Sequence, residues 1–150
     1  MIETIQEIRS NMENNIFFYL TPKASVKYLD EKDNLRQAVE KMQFHNYTSI
    51  PVVSQDGRYL RSVSDQDIVR YIHRYNLDLD RCENHNITEI DDVRPVRAIR
   101  TNKTMNDLVD IIVDQNYVPV IDDEEHFIGI VTRKTVITYL VGELKENNKK

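Results

Sequence analysis

Tryptophan is absent from this chain of 150 residues, cysteine occurs once, glycine three times and proline four times. Each scarcity excludes something. A lone Cys82 rules out an internal disulfide. In Cys82-Glu83-Asn84-His85 it has one further ligand nearby, two short of a closed zinc site, so we read Cys82 as an exposed linker thiol. So few glycines and prolines leave no collagenous or low-complexity tract. The longest apolar run near the start, Ile16 to Leu20, is too short for an export core or a membrane span. Met1-Ile2-Glu3-Thr4 has an acid where a signal peptide carries basic residues. A cytoplasmic protein without membrane contact is expected. Positive charge is short as well: 20 Lys and Arg face 25 Asp and Glu, for a net charge of −5. With no basic block, nucleic acid is a poor partner. A helix-turn-helix regulator needs about three helices, and the N-terminal extension has room for one. P-loop, Gly-rich dinucleotide turn, His-Glu-x-x-His and nucleophile elbow are all missing. The histidines (45, 73, 85 and 126) are scattered, so neither an enzyme nor a metal centre is expected.

What is present is β-branched. Ile (16) and Val (15) outnumber Leu (9), which favours strands over an all-helical bundle in one globular domain, or two very small ones sharing a core. The chain also repeats itself. Asn46-Tyr47-Thr48-Ser49-Ile50-Pro51-Val52-Val53 recurs as Asn116-Tyr117-Val118-Pro119-Val120-Ile121. Upstream of the tyrosine the offset is 70, pairing Leu35 with Met105 and Met42 with Ile112; downstream it is 68, pairing Val63 with Val131 and Tyr71 with Tyr139. Each copy reads strand, helix, strand, strand, helix. Val26–Leu29 and Val96–Ile99 are the first strands. Leu35, Ala38, Val39 and Met42 form one apolar helix stripe, matched by Met105, Leu108, Val109 and Ile112. Asp33 or Asn34, and Thr101 or Asn102, are the expected N-caps. Strands at Ile50–Val53 and Tyr59–Val63 flank a turn at Gln55-Asp56-Gly57; the second copy turns at Asp122–Glu125. Residues 76–92 are polar and weakly periodic. The expected organisation is therefore an N-terminal extension over 1–20, repeats at 21–75 and 93–150, and a linker at 76–92 between them. Ile2, Ile5, Ile8 and Met12 suggest an amphipathic helix over about the first fourteen residues, for packing or dimerisation.

These residues resemble a known family. The β-α-β-β-α copies, the Ile-Pro-Val-Val and Val-Pro-Val-Ile strands and the ending Gly129-Ile130-Val131-Thr132 look like a tandem pair of CBS domains, the Bateman module. The likeness runs from Val26 to about Leu140. It implies an α/β (α+β) fold of two repeats packed with pseudo-twofold symmetry, clefts for adenosine-type ligands, and disc-shaped dimers.

In that family a Ser/Thr-x-x-Asp motif opening the last helix supplies an aspartate for the ribose hydroxyls. Ser64-Asp65-Gln66-Asp67 carries it intact, although Ser64 and Asp67 also fit a helix capping box that satisfies only their own backbone. Arg61 stands where the second copy has Gly129, a bulkier side chain that lines or narrows the cleft. The second copy reads Thr132-Arg133-Lys134-Thr135 and lacks the aspartate. Two cations in the first turn oppose the helix dipole by about 0.3–1 kcal/mol each unless an anion compensates. Thr132, Arg133 and Lys134 thus suit phosphates, or are simply solvated. The resemblance implies that Tyr47, Thr48 and Ser49 border the adenine pocket. It gives Ile50, Pro51, Val118 and Pro119 as apolar walls, and the backbone of Val26 or Lys27 as a partner for the base edge. Tyr47 and Tyr117 equally fit core or rim aromatics.

The function expected is a regulatory adenine-nucleotide sensor without a cofactor. It binds AMP, ADP or ATP, forms a homodimer, and signals to an unidentified protein effector by changing conformation. A free ribose cis-diol suits Asp67 and makes a mononucleotide the first choice. The alternatives are a cyclic di-AMP receptor and a purely structural dimerisation module.

Overall fold

The computed structural model describes residues 4–5, 14–45 and 47–149. The helix expected over the first fourteen residues lies almost wholly outside them. In chain order the elements are β1 (Thr21–Pro22), β2 (Leu29–Asp30), α1 (Leu35–His45), β3 (Ser49–Val53), β4 (Tyr59–Ser64) and α2 (Asp65–Tyr75). Then follow β5 (Ile99–Arg100), α3 (Met105–Leu108), β6 (Tyr117–Ile121), β7 (Phe127–Thr132) and α4 (Arg133–Asn148). Short 3-10 turns lie at Lys23–Ser25, Arg81–Asn84 and Ile87–Glu89, among others. The chain forms two units of discontinuous sequence. The first is Lys27–Val96 with Glu124–Phe127; the second is Met1–Val26, Arg97–Asp123 and Ile128–Lys150.

In the first unit β2 runs parallel to β3, with Leu29 opposite Val52, and β4 returns antiparallel, with Ile50 opposite Val63. Parallel neighbours need a crossover, and α1 is that crossover. It buries Leu35, Ala38 and Met42, the predicted stripe. Of the two candidate caps, Asn34 starts the helix: its Oδ1 accepts the Gln37 N–H (2.9 Å) while Gln37 Oε1 accepts the Asn34 N–H (2.8 Å). Asp33 instead accepts the Asp30 N–H at 2.9 Å. The helix stops where the Tyr47 N–H turns back to the Met42 carbonyl, 2.9 Å away.

The segment 76–92 is held against this unit. Asn76 adopts φ 51° and caps α2. The Leu35 N–H donates to His85 O (2.8 Å), the Ile87 N–H to Asp33 O (3.0 Å), and Arg36 pairs with Asp80 and Glu83. Cys82, Ile87 and Ile90 complete the core around Leu29, Leu35 and Val63. Cys82 is 1% exposed, which corrects the expectation of an exposed thiol. The reason is the short 3-10 turn, which carries Cys82 inward while its neighbours Arg81 and Glu83 stay in solvent.

The second unit repeats the plan in the same register. Ile99 lies opposite Val120 and Arg100 opposite Ile121, the first-unit pairs moved by the two offsets. Its four-stranded sheet has the order β1-β7-β6-β5. The extra strand comes from the very start of the first repeat: Thr21 pairs with Ile130 and Pro22 with Gly129. Proline is tolerated there because β1 is an edge strand. Two local expectations change. The cap of α3 is Thr104, not Thr101 or Asn102: Asp107 accepts its N–H at 2.8 Å and its hydroxyl at 3.1 Å. Moreover α3 is a single turn; beyond Leu108 the chain continues in turns, with Ile111 N–H to Leu108 O and Asp114 N–H to Ile111 O. Val109, Ile111, Ile112 and Val113 are β-branched and lose rotamer freedom in a helix, whereas this path still buries Ile111 and Ile112.

The first strands begin later than expected, at Leu29 and Ile99 rather than Val26 and Val96. The 3-10 turn at Lys23–Ser25 takes up the Val26 N–H, which donates to Lys23 O at 3.1 Å.

Candidate functional site

In the first unit the start of α2 collects most of the candidate residues. Ser49, which opens β3, lies opposite Ser64, which ends β4. The Asp65 N–H donates to Thr48 O at 3.0 Å, so Thr48, Ser49 and Ser64 surround one helix N-terminus. Ile50 and Pro51 follow along β3, both buried. Tyr47 is half-buried, its ring stacked on His45 with centroids 5.6 Å apart. Lys27 is exposed and stands two residues ahead of β2.

Asp67 performs the capping role and more. Its N–H donates to Ser64 Oγ (3.0 Å), and its Oδ2 accepts the Ser64 N–H (3.2 Å), closing the capping box. Its Oδ1 accepts the Val93 N–H at 3.3 Å. Asp67 is only 6% exposed, the one charged residue among the described residues that is buried. A carboxylate offers about four acceptor positions, and the two bonds to Ser64 and Val93 leave about two. Val93 had no signal of its own in the sequence, because its contact to Asp67 spans 26 residues.

The second unit builds the same helix start with different chemistry. The Arg133 N–H donates to Asn116 O (2.8 Å), the counterpart of Asp65 and Thr48. Thr132 caps α4: its Oγ1 accepts the Thr135 N–H (3.2 Å) and lies 2.8 Å from Thr135 Oγ1. A threonine hydroxyl thus completes the turn where Asp67 does so in the first unit. Arg133 is not simply a surface cation. Its Nε donates to Ile112 O at 2.8 Å, tying α4 to the turns after α3. Lys134 is exposed, whereas Val118 and Pro119 are buried in β6. Val26 belongs to this unit and is buried.

Arg61 and Gly129 occupy equivalent positions in β4 and β7. Gly129 has φ +156°, and a Cβ there would come within 2.2 Å of Thr21 O, so β1 leaves no room for a side chain. Arg61 keeps its long side chain, with Nε and Nη2 enclosed and, among the described residues, no hydrogen-bond partner for either. Within the first unit, the Tyr71 hydroxyl on α2 donates to Glu89 (3.0 Å) and lies 2.7 Å from His85 Nδ1. Burial, reinforced by the Glu89 carboxylate, pushes the Tyr71 phenol up to about 12. Burial likewise raises the Cys82 thiol. Among the described residues no helix is long and apolar enough to cross a membrane.

Comparison with known proteins agrees with this geometry. A family model described as "CBS domain" matches residues 19–74 and again 87–142. An uncharacterized protein of Methanocaldococcus jannaschii is 27% identical over 140 residues, covering 74% of this chain and 83% of the relative. Among solved structures, CbpB in complex with c-di-AMP superposes with a TM-score of 0.80 at 23% identity, over 96% of this chain and 95% of CbpB. CBSX2 in complex with AMP gives 0.69 at 18% identity, over 86% and 97%. Two copies of one β-α-β-β-α plan in matching register, each found by the same family model, make this chain a member of the CBS domain family, with two CBS domains in tandem.

Proposed function

We propose that the protein is a regulatory receptor for an adenine nucleotide and not an enzyme. One observation carries this reading: Asp67 is a buried carboxylate held in place by two backbone N–H groups, with acceptor positions to spare. Two vicinal ribose hydroxyls donating to it would form charge-assisted hydrogen bonds, about twice as strong as neutral ones. The capping box does not compete with this role; it orients the carboxylate beforehand. Thr48, Ser49, Ile50 and Pro51 border the same helix start, with Tyr47 next to them in sequence and Lys27 just ahead of β2, the strand paired with β3, and we assign the base to their side. Output passes to a protein effector, and the ligand shifts that equilibrium only by its differential affinity for two conformations. We further propose a homodimer, supported by apolar side chains left exposed on the closing helices: Val69 on α2, and Ile137, Val141 and Leu144 on α4. Sedimentation showing a stable monomer at micromolar concentration would refute the dimer.

The test of binding is calorimetric titration with AMP, ADP, ATP, cyclic di-AMP and S-adenosylmethionine. Asp67→Ala should weaken AMP-type binding by about 1.5–3 kcal/mol, the scale of a hydrogen bond to a charged group. Asp67→Asn keeps an acceptor for the Ser64 N–H and so separates lost binding from lost folding. Unchanged affinity in both variants would leave Asp67 as a helix cap only.

A second reading, a cyclic di-AMP receptor, is favoured by the α4 opening and by the likeness to CbpB. In the first unit such a ligand puts a phosphodiester where Asp67 expects a hydroxyl donor. In the second unit Thr132, Arg133 and Lys134 present no acid. Arg133→Glu would also remove the bond to Ile112 O, so Lys134→Glu is the cleaner variant. On this reading it weakens cyclic di-AMP strongly and leaves adenosine nearly unaffected.

A further inference from the structure

Arg61 is a charged side chain of the first unit whose enclosed donors are left unused. Its Nε and Nη2 are both enclosed, and neither has a hydrogen-bond partner among the described residues. The arginine ion pairs there engage Arg36, Arg58, Arg74 and Arg81, while Arg61 enters none among the described residues. Enclosing donors of a permanent cation without partners is costly, since they lose water and gain nothing. Nε and Nη2 are also a particular pair. They form one edge of the planar guanidinium, with two parallel N–H bonds spaced to meet two oxygens of a single phosphate or carboxylate. The second unit has no equivalent, because Gly129 fills that position and β1 bars any side chain.

We propose that Arg61 is an anion-reading residue, which binds a phosphoryl oxyanion through its Nε–Nη2 edge. Resting on the adenine-nucleotide reading, it assigns the phosphate of the first-unit ligand to strand β4. It also makes the two CBS domains unequal, with a built-in cation in the first and none at that position in the second. In the ligand-free protein Arg61 is a destabilising element, and an anion relieves it.

The experiment compares wild type, Arg61→Met and Arg61→Lys by calorimetric melting, with and without pyrophosphate, adenosine, AMP and ATP. Methionine fills similar space without donors; lysine keeps the charge and loses the fork. Arg61→Met should melt above wild type without ligand. Its affinity for pyrophosphate and for the phosphate-bearing nucleotides should fall about 10- to 100-fold, with adenosine little changed. Arg61→Lys should lose most of the gain from pyrophosphate despite its charge. If Arg61→Met melts lower without ligand, or if pyrophosphate and ATP stabilise it as they do wild type, the proposal is overturned. It is overturned too if wild type responds to no phosphate-bearing compound. Stabilisation of wild type by pyrophosphate alone, lost in Arg61→Met, would sustain Arg61 as an anion site while ending the adenine reading.

Discussion

Replacing Gly129 by alanine tests the placement of β1 directly. Gly129 sits in β7 opposite Pro22, with φ +156°, a backbone conformation that side-chain-bearing residues rarely adopt. A Cβ at this position would lie 2.2 Å from Thr21 O and 3.0 Å from Leu20 Cδ1. Leu20 can rotate away, but Thr21 O is backbone in the strand that pairs with β7. The substitution therefore combines local strain of about 1–3 kcal/mol with either overpacking or detachment of β1. Strain and overpacking together come to about 2–6 kcal/mol, overpacking alone costing about 1–3. For a chain of this size that lowers Tm by roughly 4–24 °C. Calorimetry reads the loss, and hydrogen exchange should show β1 and its partners in β7 opening first. Gly142 provides the control. It lies in α4 with nothing within 4 Å of the place a Cβ would take, so Gly142→Ala should stabilise by about 0.5–1 kcal/mol. If Gly129→Ala melts like wild type with β1 still protected, β1 does not pair with β7.

Two further outcomes follow from groups outside the candidate site, the buried Cys82 and the half-buried Tyr71. Cys82, 1% exposed and with its thiol raised by burial, should react with a thiol reagent only as fast as the first unit opens. Immediate reaction in the native protein would show that the segment carrying it is not docked. Tyr71 should titrate at about 12 against an ordinary value of 10, as followed by ultraviolet difference absorbance. The folded value is the higher one, so Tyr71 adds stability that is complete below pH 10 and is lost as pH rises from 10 to 12. Glu89→Gln should bring the transition down; a Tyr71 ionising near 10 in wild type would contradict its burial and its bond to Glu89.

The repeated architecture is legible in the sequence, because hydrophobic periodicity is a local property and two copies reinforce one another. Leu35, Ala38 and Met42 face the first unit's core at helical spacing, with Ile50 and Val52 filling it from a strand, and Val120 and Val131 do the same for the second unit's core. The Ser64–Asp67 motif is equally plain, since a capping box spans three residues and depends on nothing distant. Even the cap at Thr104 was within reach, for the offset of 70 carries Asn34 onto it. The tertiary structure decided what joins residues far apart. It assigned Thr21–Pro22 to the sheet of the second repeat, over 100 residues downstream, a pairing that no local pattern encodes. It turned Cys82, Ile87 and Ile90 into core, because burial of a short 3-10 turn depends on the helix it packs against and not on its own polar sequence. It brought the Val93 N–H to Asp67 and gave Arg133 a carbonyl to hold. It also left one edge of Arg61 enclosed without a partner among the described residues. Sequence shows which side chains carry charge; whether a charge is solvated, paired or stranded depends on what the rest of the chain places around it.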